Sequence, residues 1–167
     1  MKDFNYTQPF IVIGALIVRD GNILLIQENH YPDQGKWNIP AGKLDFGENP
    51  VDAVTREAFE ESGLKFTPTA LLGIHSVHRK DVPGEVHALR IVFVGEAAGE
   101  VTLEYGQTEG GVAEISAYKW LTPEAVLDMP DAELRYHDIK AYVRMYLTNK
   151  TYPLEFVQHI TQKPNAN

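Results

Sequence analysis

A chain of 167 residues can bury one sizeable core without staples, and its 44% apolar and 23% charged content is that of an ordinary globular protein. The formal net charge of −8 leaves no basic surplus to displace counterions from a phosphate backbone, which excludes a nucleic-acid polymer as a general partner. Cysteine is absent, which excludes disulfides, thiolate nucleophiles and Cys-based zinc sites.

The N-terminal run 10–18 is rich in Ile and Val but far too short to span a bilayer. The residues before it, Met1 to Gln8, carry both charge signs and lack a signal-peptide pattern, so no membrane partner is expected and the expected location is cytoplasmic. Arg19-Asp20-Gly21-Asn22 reads as a tight turn before a second apolar run, 23–26, which predicts a β-hairpin. Residues 29–36, with Pro32 and Gly35, read as a loop, and Trp37-Asn38-Ile39 as a short extended piece stopped by Pro40. At Asn49-Pro50-Val51-Asp52 a helix is expected to start: Asn49 can cap, Pro50 takes the first helical position, and Asp52 favours the positive end. It should run to Ser62, with Gly63 as its stop. Strand-like runs at 70–77 and 86–94 follow, separated by turn-rich 79–84, then a polar loop over 104–111 and a returning strand over 114–121. Thr122-Pro123-Glu124 begins a short helix. A longer one is expected to follow to about Leu147, with Leu134, Ile139, Tyr142, Val143 and Tyr146 at roughly helical spacing. Residues 149–167 read as a tail packed only in part, leaving a single domain over 1–148. Strands mixed with a few helices imply an α/β layered domain.

The helix over 50–62 carries the informative pattern. Glu57, Glu60 and Glu61 lie at i, i+3 and i+4 and share one face, within an arc of about 100°. Val51, Val54 and Ala58 form an adjoining apolar stripe that can dock on a sheet, so the carboxylates sit at the edge of the packed face. Like charges at that spacing repel by about a few tenths of a kcal/mol per pair, and they lie toward the negative end of the helix dipole. Local propensity would not choose this arrangement. A hard divalent cation resolves the conflict, because Mg²⁺ prefers oxygen ligands and combines carboxylates with substrate phosphates.

Gly42, Glu48, Arg56, Glu57, Glu60, Glu61 and Gly63, with Ala58 and Leu64 at apolar positions, together resemble the Nudix box, Gly-x5-Glu-x7-Arg-Glu-U-x-Glu-Glu-x-Gly-U with U apolar. The resemblance covers residues 8 to about 148 in its order of elements and implies the Nudix fold, an α/β/α sandwich with a mixed sheet. It implies an Mg²⁺-dependent hydrolase, with Mn²⁺ as a substitute, that breaks a phosphoanhydride bond by attack of water at phosphorus. Glu57, Glu60 and Glu61 would be its metal ligands, joined by a carbonyl from the turn Pro40-Ala41-Gly42. Ala41 stands where the family often has Gly. Arg56 would orient the carboxylates, Glu48 would close the loop against the helix, and Glu61 would serve catalysis directly.

A catalytic base or further ligand in this family often comes from a loop before an aromatic strand residue. Glu114, six residues before Trp120, fits that placement, with Glu109 as runner-up. Arg79 and Lys80 are candidates to hold phosphate, and Phe4, Tyr6 and Trp37 to stack a base. His75, His78 and His87 are scattered like no zinc site and read as structural. The expected substrate is a small phosphoanhydride, most of all a nucleoside tri- or diphosphate, with thiamine-pathway phosphates within range. ADP-ribose or a nucleotide sugar is the second reading, and a non-catalytic nucleotide sensor, which usually lacks box glutamates, is the third. A homodimer is compatible with the fold.

Overall fold

The computed structural model describes residues 9–82, 85–103 and 113–162. Strands β1 (Phe10–Arg19) and β2 (Asn22–Glu28) form the expected antiparallel hairpin, with Val18 opposite Ile23. Its two turn residues, Asp20 and Gly21, both take positive φ (50° and 75°), the backbone that matches the twist of paired strands. Strand β2 also pairs antiparallel with β3 (Trp37–Asn38) and β7 (Ile115–Leu121). On its other side β1 runs parallel to β6 (Val86–Ala98), which pairs antiparallel with β5 (Lys65–Arg79). The short β4 (Ala41–Lys43) joins β1. The result is one mixed seven-stranded sheet among the described residues.

Both faces of this sheet are covered, which explains why residues 12–17 of β1 are all buried instead of alternating. Helix α1 (Pro50–Ser62) covers one face. The Asn49 side chain accepts the Val51 N–H, Pro50 opens the helix and Gly63 ends it at φ 71°. Its Ala53, Val54 and Ala58 pack with Ile13, Ala15, Ile17, Leu24 and Phe93. On the opposite face α2 (Pro123–Asp128) and α3 (Ile139–Leu147) bury Val126, Tyr142 and Val143 against Leu16, Leu25, Leu72 and Val92. This is an α/β/α sandwich. Among the described residues, no helix is long and apolar enough to cross a membrane.

Two elements depart from the sequence expectation. The last helix begins only at Ile139: Pro130 and a 3-10 turn (Asp131–Glu133) interrupt it, and Leu134 forms a parallel bridge with Trp37. The Arg135 N–H donates to the Trp37 carbonyl at 2.9 Å, so pairing with β3 overrides helical spacing in this segment. Buried Arg90 then holds Asp138 at the start of α3 (2.9 Å). Strand β5 starts at Lys65, ahead of residue 70, because a register shift between Pro68 and Ala70 absorbs the proline. In the tail, Tyr152 exchanges two backbone hydrogen bonds with Leu71 on the outer edge of β5, each 2.8 Å, and Leu154 and Val157 pack against the α1-side core.

Candidate active site

The site grows from the contact between the turn 40–43 and the C-terminal half of α1. Antiparallel pairing turns alternate residues toward β1, and the residues flanking β4 keep that pattern: Pro40 accepts the Ala15 N–H at 2.8 Å, and the Leu44 N–H donates to Ile11. Ala41 and Lys43 therefore direct their backbone groups the other way, toward the helix. There the Ala41 N–H donates to Glu61 Oε2 at 2.7 Å and the Lys43 carbonyl accepts Arg56 Nη2 at 3.1 Å. In an extended strand the N–H and C=O of one residue share an edge, which puts the Ala41 carbonyl on the side of its N–H.

Arg56 organises the carboxylates. Its Nε and Nη2 form a fork on Glu48 (2.9 Å each), while Nη1 donates to Glu57 Oε1 (2.6 Å) and Glu60 Oε2 (3.1 Å). Glu48, which also accepts the Asp45 N–H, is held below its ordinary value by the hydrogen bonds from Arg56. Glu57 and Glu61 are buried and Glu60 is half-exposed. Burial pushes the Glu57 carboxyl up, with Arg56 opposing. It pushes Glu61 further, aided by the charge of Glu28 and opposed by the Ala41 N–H.

Gly42 is required by contact with Glu57. A Cβ at position 42 would overlap the Glu57 carboxylate, whereas the glycine's backbone has no positive φ to strain. A Gly42→Ala protein should therefore fold with a near-normal melting temperature but lose on the order of 10²-fold in kcat/KM, the scale of a catalytic group displaced by about 1 Å. Steady-state kinetics beside a thermal melt checks this, and unchanged kcat/KM would show that the position of Glu57 does not matter.

Behind the box lies a polar network that sequence reasoning missed. Glu28 Oε1 accepts from Asn38 Nδ2 (2.8 Å) and Arg135 Nη1 (2.6 Å). Asp33 Oδ2 accepts from Arg79 Nη1 and Arg135 Nε, each at 2.9 Å. Glu28, Asp33 and Asn38 are buried. Burial pushes the Asp33 carboxyl up, but Arg79 and Arg135 outweigh it and hold it below its ordinary value. The available signal was register: Glu28 continues the inward set Leu24 and Ile26 of β2 with a carboxylate. Asp33 and Arg135 had no such signal.

A cavity of about 450 Å³ opens beside this network. Ala41, Gly42 and Lys43 form one rim, Asp33, Asn38 and Arg135 one wall, and Tyr31 stands at it with 80% exposure. Of the residues named from sequence, Arg56, Glu57, Glu60 and Glu61 come together at the rim turn. Glu114 sits just before β7, where its carbonyl accepts the Asn29 N–H at 2.9 Å, beside Glu28. Arg79 lines the cavity, but its guanidinium already holds Asp33 and Asp81. Lys80 lines a neighbouring recess with His78 and His137. Trp37 faces the α2/α3 core with the Lys119 ammonium 3.8 Å from its ring centroid, and does not line the cavity. His75 stacks on Tyr142 at 4.4 Å, His87 bonds Ser76, and His78 pairs with Glu85. Phe4, Tyr6 and Glu109 lie outside the described residues.

The donor set suits a divalent cation. Among the described residues no three acidic or imidazole side chains already converge as a metal cage, and Arg56 holds Glu57 and Glu60 instead. The donors are nevertheless all oxygen. Buried Glu61 is answered by one backbone N–H and the charge of Arg135, while burial and the charges of Glu28 and Glu57 outweigh them, an excess that a hard cation would offset.

Comparison with known proteins agrees with this geometry. Residues 9–143 match the family model of the NUDIX domain. The chain is 35% identical over 94 residues to an ADP-ribose pyrophosphatase of Methanocaldococcus jannaschii, a match spanning 56% of this chain and only 54% of that relative. It is 25% identical to the phosphatase NudJ of Escherichia coli K12 over 150 residues, 90% of this chain and 91% of the relative. Among solved structures it is similar to a NUDIX hydrolase from Nitrosomonas europaea, with a TM-score of 0.77, 27% identity, and coverage of 92% of this chain and 98% of that one.

Proposed function

Because the chain belongs to the Nudix family of hydrolases, we propose that its preferred substrates are nucleoside tri- and diphosphates, with thiamine-pathway phosphates within its range. As a member of that family it is an enzyme that hydrolyses phosphoanhydride bonds. The observation that carries the proposal is that the turn that bonds Glu61 and packs against Glu57 also lines the 450 Å³ cavity, so phosphates and the group they carry can be held side by side.

Glu57, Glu60 and Glu61, with the Ala41 carbonyl, would hold Mg²⁺, or Mn²⁺ in its place, which when bound neutralises phosphate oxygens and makes phosphorus more electrophilic. Arg56 keeps Glu57 and Glu60 oriented and ties the loop through Glu48 to the helix. Glu61, or Glu114 from the segment before β7, accepts the proton of the attacking water. Water forms a new P–O bond as the bridging P–O bond breaks, and the second phosphate departs with the electron pair. No covalent enzyme intermediate is needed, in keeping with a chain without cysteine.

The similarity to an ADP-ribose pyrophosphatase supports ADP-ribose, or a nucleotide sugar, as the second reading. One panel separates the two: phosphate, pyrophosphate or nucleoside monophosphate release from nucleoside tri- and diphosphates, ADP-ribose and thiamine diphosphate, with and without Mg²⁺. Metal-dependent turnover highest with a nucleoside tri- or diphosphate is the expected result. Preference for ADP-ribose would transfer the assignment to the second reading, and ligand binding without turnover would make the protein a sensor.

A further inference from the structure

Strand register joins two histidines that the sequence scatters. His78 of β5 lies directly opposite His87 of β6, and the next pair along is Arg79 and Val86. Alternation sends the two pairs to opposite faces of the sheet. Arg79 and Val86 line the cavity. His78 and His87 stand on the α1 side, in the row of β6 that continues to Ile91 and Phe93 of the α1-side core. Their ring centroids are 5.5 Å apart, with the planes tilted by 33°.

Each ring is held through its Nε2 atom. His78 Nε2 lies 3.1 Å from Glu85 Oε2, and His87 Nε2 lies 2.8 Å from Ser76 Oγ. A carboxylate only accepts, so His78 carries its hydrogen on Nε2 and, when neutral, its lone pair on Nδ1. The Ser76 hydroxyl can accept from His87 in the same way. Neither Nδ1 has a hydrogen bond or an ion pair among the described residues. An oxygen partner behind one ring nitrogen and a lone pair on the other is the arrangement of a metal-ligating imidazole. The spacing suits one ion: with nitrogen–metal bonds of about 2.0–2.1 Å, two imidazoles on a tetrahedral centre hold their rings roughly 5 Å apart.

We propose that His78 and His87, with Glu85 and Ser76 behind them, chelate a divalent transition-metal ion at a site separate from the carboxylate helix. Imidazole nitrogen suits Ni²⁺, Cu²⁺ and Zn²⁺, whereas Mg²⁺ takes oxygen, so this ion differs from the one the box would hold. Among the described residues no third acidic or imidazole side chain converges on the pair, and water fills the remaining positions. The bound ion ties β5 to β6 on the back of the strand pair that gives Arg79 and Val86 to the cavity. The site stands whether or not the chain prefers nucleotides.

The test is calorimetric titration of the full chain with Ni²⁺, in a large excess of Mg²⁺ to occupy the carboxylates. One Ni²⁺ bound per chain is the expected result. His78→Gln and His87→Gln should each weaken binding by more than about tenfold, and Glu85→Gln by about 10–100-fold, as the partner behind a ligand. His137→Gln and Glu61→Gln should leave the Ni²⁺ affinity as it is. Binding lost in Glu61→Gln but kept in His78→Gln would place the ion at the box and overturn the site. No Ni²⁺ binding in Mg²⁺ would overturn it as well. The wild-type protein decides the question even if a variant fails to fold. Substoichiometric Ni²⁺ should broaden the imidazole NMR signals of His78 and His87 before those of the other histidines, and broadening that starts elsewhere overturns the site.

Discussion

Replacing Glu61 by Gln should lower kcat by about 10³-fold while the melting temperature holds or rises. The two effects part because the structure asks different things of this side chain. Glu61 Oε2 accepts the Ala41 N–H at 2.7 Å, and a glutamine oxygen can accept the same bond, so the rim turn keeps its anchor. The charge is what the fold resists: the group is buried and faces Glu28 and Glu57. Removing it relieves that burial and repulsion, yet it deletes the negative charge that a cation or an attacking water's proton would use. Turnover and thermal unfolding of the two proteins settle it. Wild-type turnover by Glu61→Gln would sink the assignment of Glu61, and a much lower melting temperature would mean that the turn depends on the charge itself.

The largest effect on stability should come from Arg135→Met. Arg135 bonds Glu28 at 2.6 Å and Asp33 at 2.9 Å, and both carboxylates are buried with side chains at most 2% exposed. Methionine fills much of the same apolar volume but leaves two desolvated charges without this partner. Breaking a buried pair from one side costs about 3–5 kcal/mol, and equilibrium urea unfolding should show a loss of that order. The added substitution Glu28→Gln should recover part of it by removing one stranded charge; no recovery would place the loss in packing. Acid adds a signed check. Asp33 is held below its ordinary value of 3.8, so its pairing contributes stability that is whole above that pH and fades as pH falls through the lower folded value. Without Arg135 that fading should be shallower in the window below pH 3.8.

Local chemistry makes much of this fold legible in the order of residues alone. The Asp20-Gly21 turn, the Asn49 cap, Pro50 and the Gly63 stop are statements about backbone within a few residues, and the structure has each of them. The carboxylate face is legible for the same reason, because helical spacing converts sequence separation directly into side-chain direction. Even the relation of Arg56 to Glu57 and Glu60 lies within one turn of helix. Where local spacing competes with a distant partner, it fails. Leu134 carries a helical pattern, yet it is captured beside Trp37, 97 residues earlier, with Arg135 fixed to the Trp37 carbonyl. That capture is also what delivers Arg135 to Glu28 and Asp33, 107 and 102 residues away.

The sequence by itself therefore determined the hairpin, the capped helix and the carboxylates at its edge, since each follows from short-range geometry and from charges that local propensity would not have placed together. Only the tertiary structure decided that Arg79, a candidate phosphate ligand, is engaged by Asp33 and Asp81, and that Trp37 faces the core. It also decided that Asp33, Asn38 and Arg135 form one wall of the cavity, with Glu28 buried behind them. The reason is physical: burial and pairing over long separations depend on which strands lie side by side, and no local pattern along this chain encodes that order.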